Sequence, residues 1–292
     1  MKVAQIGIGY WGSKLTPYIE DYFEIVKIAN SSTNLDVIWN NSEIEAVFII
    51  TPIETHYELV KKALESGKHA FVEKPLAETF AQAEELYRLA EEKNLKLFVD
   101  YTESYAPSRI KMKEILPRIG KMKHIEGSCK HLGRFFREHD VYKLLASHLL
   151  SMFFLMIDND YKEVDYSINN WLFNNKIVVT AGDITLWHNK LGLTAFFNVN
   201  IHYPGKEYKF TIYGEKGTIQ WDVSKEKSLK LTLYDKKYKA LPHEMITEEH
   251  FWEFDEKNNL KYSVEAFYEV LHGKRDSNAE IAAEITRIIE SC

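Results

Sequence analysis

Three glycines near the start of the sequence have the spacing of a phosphate-binding turn. Gly7, Gly9 and Gly12 follow a short apolar run and precede a helix-like segment. In a strand–turn–helix unit the first glycine allows the tight turn, the second lets a pyrophosphate approach the backbone, and the third lets the helix pack on the strand. The free N–H groups at the helix start then favour phosphates. The pattern predicts dinucleotide binding by these glycines, with Tyr10 and Trp11 of the same turn also at the cofactor.

Lys74 is the first candidate for acid–base chemistry. It follows a predicted strand, 69–72, within the tripeptide Glu73-Lys74-Pro75. Beside a nicotinamide, an ammonium group would stabilise the alkoxide that develops as a hydride leaves, and the charge of the oxidised ring would lower the lysine pKa. Glu73 is expected either to orient Lys74 or to contact the cofactor ribose. A solvated lysine before a turn is the alternative interpretation.

Strands and helices alternate through the first hundred or so residues. After the opening strand, strands are predicted at 25–29, 46–51, 69–72 and 96–101, and helices at 11–22, 56–66 and 79–93. Short connections between alternating elements are typical of a doubly wound parallel sheet, and an apolar run such as 46–51 fits a strand buried on both faces. Such sheets bind ligands at the carboxyl ends of their strands, where Gly9, Thr51, Lys74 and Tyr101 are expected to lie. The second link is short, so one crossover helix is expected to be trimmed.

The end of the second predicted strand bears on the choice of cofactor. An acidic residue commonly ends this strand in NAD-preferring sites, but Asn30 and Ser31 stand here, followed by Ser32 and Thr33. The missing carboxylate removes a charge that would repel a 2′-phosphate, yet this loop contains no arginine to pair with one. Asn30 and Ser31 are predicted to bind the cofactor, and NAD and NADP both remain open.

The pattern changes after a predicted helix at 108–116. Turn signals at Asn174-Asn175, Pro204-Gly205 and Lys216-Gly217 separate short runs of strand character. Strands are predicted at 122–131, 165–173, 176–180, 184–187, 192–202, 206–213, 218–222 and 229–234, with helices at 140–156 and 263–272 and a helical tail to 289. Strands joined by turns indicate an antiparallel sheet. We therefore predict a dinucleotide-binding domain at 1–118 and a single α+β domain at 119–292.

Composition argues against several classes of protein. The net charge is -6 and the pI is near 6.0, without a basic block, so nucleic acid is not an expected partner. No apolar run approaches the length of a membrane span and no charged leader precedes the first strand, so a cytoplasmic protein is expected. Cys129 and Cys292 are expected to be reduced and unpaired. The histidines and cysteines lack metal-ligand spacing, so no metal site is predicted.

A series of motifs runs along nearly the whole chain. They are GIGYWG at 7–12, Thr51-Pro52 with His56 following, GKHAFVEKPLA at 67–77, YTESYAP at 101–107, the helix around His148, FTIYGEKGTIQWD at 210–222 and SVEAFYEVLHGKRDSNAEIAAEITRIIE at 263–290. In this order they resemble the glucose-fructose oxidoreductase, inositol dehydrogenase and rhizopine catabolism family, called Gfo/Idh/MocA. The resemblance implies an N-terminal Rossmann domain that binds NAD or NADP, a C-terminal domain with an open-faced antiparallel sheet, and a substrate cleft between them.

The resemblance also implies an oligomer. Family members often associate through the C-terminal sheet, whose side away from its helices would otherwise expose an apolar patch. We therefore expect a homodimer or homotetramer. The aromatic residues at strand positions are assigned to the sheet core or to this interface: Trp171, Phe173, Trp187 and Trp221.

The resemblance assigns catalytic roles to Lys74 and His148. Lys74 would hold the substrate hydroxyl and the nicotinamide ribose, and His148 would pass the hydroxyl proton. Family members carry a carboxylate four residues before this histidine on one helical face, but Leu144 stands here. Asp140, about 12 Å away along a helix axis, is a poor substitute. A histidine on an otherwise apolar helix is often a core residue, so a structural role for His148 stays open.

The remaining predicted contacts lie in two loops. Thr51, Pro52 and His56 are placed at the cofactor edge, where His56 either contacts a ligand or caps its helix. Three residues of the other loop are candidate substrate contacts, with ordinary loop and core roles as the alternative: Tyr101, Glu103 and Tyr105. Ser104 stands where many members of the family carry an arginine, so a possible anion contact is lost.

The function expected from these residues is hydride transfer between a nicotinamide and a secondary alcohol or ketone of a sugar. The segments 101–107 and 203–222 look most like the branch of the family that acts on nucleotide-linked sugars. Two alternatives remain. One is a reductase of a non-sugar substrate, similar to the biliverdin reductase-like members. The other is a dinucleotide-binding sensor or assembly protein without turnover.

Overall fold

The computed structural model describes residues 1–133, 140–157, 164–174, 178–235, 241–256 and 258–291. The chain folds into two compact units, one formed by Met1–Tyr105 with Asn258–Ser291 and the other by Ala106–Lys257. The first unit thus takes in two distant segments of the chain. The domains predicted from the sequence, 1–118 and 119–292, instead placed the last helices in the C-terminal domain.

The first unit contains a five-stranded parallel sheet with the strand order β2-β1-β3-β4-β5. In chain order its elements are β1 (Lys2–Ile6), α1 (Tyr10–Glu20), β2 (Glu24–Ala29), α2 (Asp36–Trp39), β3 (Ala46–Ile49), α3 (His56–Glu65), β4 (His69–Glu73), α4 (Phe80–Glu92) and β5 (Leu97–Asp100). The predicted doubly wound parallel sheet is confirmed. The expected trimmed crossover is α2, a single turn, and Thr79 caps α4 in a reciprocal capping box with Gln82.

The second unit contains an eight-stranded sheet with the order β13-β12-β11-β10-β6-β9-β8-β7. Its elements are α5 (Pro107–Ile115), β6 (Met122–Leu132), α6 (Ser147–Ile157), β7 (Val164–Asn174), β8 (Val178–His188), β9 (Leu193–Asn200), β10 (His202–Gly214), β11 (Gly217–Asp222), β12 (Leu229–Tyr234) and β13 (Ile246–Trp252). All neighbouring pairs are antiparallel except β6 with β9. The predicted mostly antiparallel sheet is confirmed.

Two predictions within this sheet are wrong in detail, and one strand was not predicted. Residues 178–180 and 184–187, predicted to lie in separate strands, belong to one strand, β8 (Val178–His188), and residues 176 and 177 lie outside the described ranges. The turn predicted at Pro204-Gly205 lies inside β10, because the register shift between His202 and Lys206 absorbs the proline, which cannot donate to a regular ladder. Strand β13 was missed, since its sequence ITEEHFW at the sheet edge is largely polar.

The last two helices, α7 (Leu260–Leu271) and α8 (Ala279–Glu290), belong to the first unit. Phe48, Phe71 and Phe98 stand in register on β3, β4 and β5. Phe267 of α7 lies against all three rings, with centroid distances of 5.4, 5.6 and 5.7 Å. Burial of these rings fixes α7 on the parallel sheet, because each aromatic side chain removes a large apolar area from water.

The two faces of the second sheet differ. Phe153 of α6 packs on Phe197 of β9 at a centroid distance of 6.0 Å, so α6 covers this face. Side chains alternate along a strand, and Phe196 therefore lies on the opposite face, where it and Trp187 are partly exposed. Glu126 lies on that face as well and accepts a hydrogen bond from Tyr213. The uncovered face is thus a mixture of aromatic and charged side chains.

Candidate functional site

The glycine turn between β1 and α1 has the geometry that its spacing predicts. Gly7 has φ +100°, and a Cβ there would lie 2.0 Å from the Ile50 carbonyl oxygen. A Cβ on Gly12 would lie 2.3 Å from the Gly7 carbonyl oxygen. A Cβ on Gly9 would meet nothing within 4 Å, so this glycine faces open space at the start of α1. Space beside a helix N-terminus fits a pyrophosphate group.

Gln5 holds this turn in place and was not singled out from the sequence. Its side chain is fully buried in β1. Nε2 donates to the carbonyl oxygens of Gly7 and Gly12 at 2.9 and 3.2 Å, and Oε1 accepts from Thr16 Oγ1 at 2.9 Å. Its polar side chain within an apolar strand could have identified it from the sequence, because a buried polar residue must find hydrogen-bond partners.

Tyr10 and Trp11 are exposed at the first turn of α1. Their exposed fractions are 60% and 50%, and their rings meet edge to face at 5.0 Å. The Lys14 ammonium lies 2.7 Å from the Tyr10 hydroxyl and 4.2 Å from the centre of its ring. The turn therefore presents a cation and two aromatic rings. Only the aromatic residues were predicted from the sequence.

The loop after β2 is closed by its own hydroxyl groups. Asn30 Oδ1 accepts from the Ser32 backbone N–H at 3.0 Å and from Ser32 Oγ at 2.7 Å. Thr33 Oγ1 lies 3.2 Å from the same oxygen. Ser31 is exposed at the tip. The loop offers neutral polar groups at the position where an acidic residue would select NAD.

His56 joins the loops that follow β3 and β4. Its Nδ1 lies 2.8 Å from the Pro75 carbonyl oxygen, and its Nε2 lies 2.8 Å from the Thr51 carbonyl oxygen. Burial lowers the pKa of the ring, and the bonds to the two carbonyl groups oppose this shift. The ring is 1% exposed, which favours a positioning role over contact with a ligand. Pro52 precedes the short 3₁₀ turn that leads into α3.

Lys74 follows directly on β4 and is joined to Pro75 by a cis peptide bond. Its backbone N–H donates to Glu73 Oε2 at 3.1 Å. Glu73 is paired in register with Asp100 of β5. Burial raises the pKa of Glu73, the Asp100 charge raises it further, and Lys74 opposes both effects. Burial raises the pKa of Asp100 as well. Two carboxyl groups thus stand at the strand ends beside the predicted catalytic lysine.

The predicted substrate residues after β5 are packed within the first unit. Tyr101 is 1% exposed, and burial raises the pKa of its hydroxyl and of the Tyr105 hydroxyl. The Tyr105 hydroxyl accepts from Asn278 Nδ2 at 2.8 Å, and its ring lies 5.3 Å from that of Phe98. Glu103 accepts from Asn259 at 3.4 Å. Asn278 also bonds the backbone of Val99, so this loop is tied to the start of α8.

His148 lies in the second unit at the first turn of α6. It is partly buried, with its ring centre 6.4 Å from that of Tyr208. The preceding segment, Tyr142–Ala146, is π-helical, so the α-helical spacing assumed between Leu144 and His148 is wrong. Asp140 Oδ1 accepts from the backbone N–H groups of Tyr142 and Lys143, both at 2.9 Å. Asp140 therefore caps this segment.

The π-helical turn is anchored to the sheet through Gly182. The Tyr142 hydroxyl lies 2.8 Å from Asn170 Oδ1 and 3.0 Å from the Asn169 carbonyl oxygen. A Cβ on Gly182 would lie 2.0 Å from the Tyr142 hydroxyl. The missing side chain at Gly182 thus makes room for the tyrosine that begins the turn before His148.

Two kinds of feature are absent from the described ranges. In these ranges, no three His, Cys, Asp or Glu side chains come together in a way that could hold a metal ion. No helix there combines the length and the apolar character that crossing a membrane requires.

Part of the chain matches the sequence profile of a known family. Residues 20–101 match the sequence profile of GFO_IDH_MocA, an oxidoreductase family with an NAD-binding Rossmann fold. Over these residues the chain is similar to the Gfo/Idh/MocA oxidoreductase family. This confirms the resemblance inferred from the motifs and the prediction of a nicotinamide dinucleotide, NAD or NADP, as cofactor. The match runs from α1 to the end of β5 and begins beyond the glycine turn.

Curated relatives in this family match parts of the chain. An uncharacterized oxidoreductase of Schizosaccharomyces pombe is 37% identical over 194 residues, which are 62% of this chain and 48% of that protein. The scyllo-inositol 2-dehydrogenase (NADP(+)) of Bacillus subtilis is 28% identical over 160 residues, 49% of this chain and 42% of that protein. The chain spans about half the length of these two relatives.

A solved structure matches the fold over the full chain. The UDP-N-acetylglucosamine 3-dehydrogenase of Acidithiobacillus ferrooxidans superimposes with a TM-score of 0.84 at 15% identity, covering 99% of this chain and 95% of that one. At this identity the likeness concerns the fold alone. It agrees with a parallel sheet followed by a mostly antiparallel sheet.

Proposed function

We propose that this family member transfers a hydride between NAD or NADP and a secondary alcohol or ketone of a sugar, with a nucleotide-linked sugar as the substrate class. The observation that carries the proposal is the arrangement of loops around Lys74. Gly7 approaches the backbone of Ile50 after β3, and His56 joins Thr51 to Pro75. The glycine turn, the loop after β3 and the lysine loop are thereby held side by side at the carboxyl edge of one sheet.

The residues at this edge fit a dinucleotide. The open space at Gly9 would receive the pyrophosphate, and Tyr10 and Trp11 would border it. Asn30 and Ser31 would meet the adenosine ribose, and Thr51, Pro52, His56, Glu73 and Lys74 would hold the nicotinamide half, His56 indirectly through its loops. When bound, the cofactor accepts or donates a hydride at its nicotinamide ring. The neutral loop after β2 supports a site that accepts either NAD or NADP.

In this proposal Lys74 and His148 act on the same substrate hydroxyl group in different ways. In the oxidation direction, the carbon-bound hydrogen leaves with its electron pair and the hydroxyl proton passes to the imidazole of His148. Lys74 donates a hydrogen bond to the same oxygen and stabilises its negative charge. Ketone reduction runs through the same contacts in reverse. Tyr101, Glu103 and Tyr105 shape the loop that follows β5 and are proposed as substrate contacts.

The substrate class is supported by the kinds of protein that the chain resembles. One relative is named as a dehydrogenase of scyllo-inositol, a cyclic polyol, and one protein of the same fold is named as a dehydrogenase of a nucleotide sugar. Both kinds of substrate carry ring hydroxyl groups. A ring carbon bearing a secondary hydroxyl is therefore the proposed site of reaction.

The test compares Lys74→Ala with a matched lysine variant. Lys61→Ala is the control, because Lys61 lies on α3 and pairs with Glu85 away from the strand ends. On a panel of sugars and nucleotide sugars, we expect Lys74→Ala to lower kcat about 100-fold or more while cofactor affinity changes little. The control should retain wild-type turnover. Equal turnover by wild type and Lys74→Ala would refute the role of this lysine.

A sensor without turnover is the second candidate, and Leu144 is the observation that favours it. Leu144 replaces the family's usual carboxylate, and the Asp140 carboxylate is used in capping. If wild type binds NAD or NADP but turns over no substrate on the panel, the sensor is supported. Turnover of any sugar or nucleotide sugar on the panel by wild type would overturn the sensor and support the enzyme.

The second sheet supports a proposed homodimer or homotetramer. Trp171, Trp187 and Phe196 are 51%, 38% and 38% exposed. Clusters of exposed aromatic side chains are typical of interfaces. Light scattering of wild type and of Phe196→Lys should show an oligomer that the variant weakens. A monomeric wild type at micromolar concentration would contradict this assembly.

A further inference from the structure

Asp100 stands at the carboxyl end of β5 and is almost completely buried. It is 1% exposed and is the register partner of Glu73 at the end of β4. Register partners on parallel strands point to the same face of a sheet, and neighbouring strands lie about 4.8 Å apart. Lys74 follows Glu73 directly, and its charge acts on both carboxyl groups at this edge.

The hydrogen bonds of Asp100 are unevenly divided between its two oxygens. Oδ1 accepts from Ser263 Oγ of α7 at 2.6 Å and from Thr102 Oγ1 at 2.9 Å. Oδ2 is buried and has no hydrogen-bond partner among the described residues. An ionised carboxylate buried with one oxygen lacking a donor is costly, whereas a protonated carboxyl group can itself donate. The surroundings of Asp100 therefore suit a carboxyl group that holds a proton for part of the time.

The charged groups around Asp100 act in opposite directions. The largest effect is burial, which raises the pKa of Asp100, while the bonds from Ser263 and Thr102 and the charge of Lys74 lower it. The Glu103 charge raises it. On the neighbouring strand, burial and the Asp100 charge together raise the pKa of Glu73. The Asp100 charge thus opposes ionisation of Glu73, as expected for a carboxyl group with a like charge on the neighbouring strand.

We propose that Asp100 and Glu73 share one proton behind Lys74, and that Asp100 is a positioning residue for the lysine. With one proton between them, the two carboxyl groups carry one negative charge, which balances the single positive charge of Lys74. Loss of that proton leaves an excess negative charge beside the lysine, and gain of a second proton removes the negative charge of the pair. The shared proton stands on the geometry of the first unit alone, whereas its effect on hydride transfer rests on the proposed function.

Carboxyl carbon NMR can measure the shared proton directly. The protein is labelled at the side-chain carboxyl carbons of Asp and Glu and titrated without ligand. We expect one Asp signal and one Glu signal to titrate above the usual carboxylate range and to respond to each other. In Asp100→Asn, the Asp signal disappears and the Glu signal moves to lower pH by about one pH unit or more, because the neighbouring charge is gone.

Two further variants test whether the two titrating signals belong to Asp100 and Glu73. Ser263→Ala removes a donor that favours the ionised form of Asp100, so its Asp signal should move to higher pH. Glu85→Gln is the matched control: it removes a carboxylate of the same unit that pairs with Lys61, and it leaves both signals of the pair in place. An Asp100 signal that titrates near the ordinary value of about 3.9 would overturn the proposal. So would a Glu73 signal that does not move in Asp100→Asn.

The effect on the lysine is read from the Lys74 ε-carbon, identified by its absence in Lys74→Arg. In wild type this signal should show an inflection at the pH where the carboxyl pair loses its proton, and in Asp100→Asn the inflection should move down with the Glu73 signal. A Lys74 signal without an inflection at that pH would refute the positioning role of Asp100. If the NMR results hold but no substrate is turned over, the proposed function fails while the shared proton stands.

Discussion

Substitution of Gly9 by alanine separates the two reasons for glycine in the turn. A Cβ at this position meets nothing within 4 Å, and the backbone has φ -66°, which alanine adopts readily. Alanine is a poorer N-cap than glycine by on the order of 1 kcal/mol, and the stiffer unfolded chain returns about 0.4 to 1 kcal/mol. We therefore expect the melting temperature of Gly9→Ala to stay within about 2 °C of wild type.

Cofactor affinity should respond quite differently. The open space at Gly9 is where a pyrophosphate would approach the backbone, so a methyl group there blocks the closest contact. We expect the Kd for NAD or NADP, measured by calorimetry, to rise at least tenfold, equivalent to about 1.4 kcal/mol.

Gly12→Ala is the contrasting variant, because its methyl group would lie 2.3 Å from the Gly7 carbonyl oxygen. Overpacking of this kind costs about 1 to 3 kcal/mol and lowers the melting temperature by several degrees. Unchanged cofactor affinity in Gly9→Ala would refute the assignment of this turn to the pyrophosphate.

Three further predictions follow from particular contacts. The pKa values of Asp100 and Glu73 are raised in the folded state, so their contribution to stability is full below about pH 4 and is lost as pH rises through the folded values. Chemical denaturation should therefore show Asp100→Asn gaining stability relative to wild type as pH rises. Asn30→Asp should weaken NADP binding relative to NAD about tenfold in calorimetry, since a carboxylate near a 2′-phosphate costs on the order of 1 to 4 kcal/mol. Gly182→Ala should lower the melting temperature by several degrees, because its Cβ would lie 2.0 Å from the Tyr142 hydroxyl, and Tyr142→Phe should recover part of the loss.

The parts predicted correctly from the sequence depend on local rules. The glycine turn follows from residues within one short segment, and the helix predicted at 79–93 follows from a local pattern that starts at Thr79, its cap. The buried strand β3 is a continuous apolar run. In each case the physical cause lies within a few residues, so the local sequence pattern is enough to predict the feature.

The parts that were missed depend on contacts between distant segments. Gln5 resembles an ordinary strand residue until the turn folds over it and accepts its hydrogen bonds. Asp100 becomes notable only when strand register places it beside Glu73. Phe267 lies far along the chain from the sheet that it covers. No single-segment pattern encodes these pairings, because register and packing are decided by the whole fold.

The π-helical turn before His148 changes how the family pattern applies to this chain. The rule that a carboxylate four residues earlier shares a face with the histidine assumes α-helical geometry, but Tyr142–Ala146 is π-helical and begins at a tyrosine seated over Gly182. A different side chain at position 144 would therefore not by itself restore the family geometry. In the first unit, a carboxyl group that can hold a proton is paired in register with Glu73, which Lys74 follows. If this chain transfers hydride, we expect its pH dependence to be controlled by the lysine and these two acids, because the Asp100 charge acts on Glu73 across neighbouring strands.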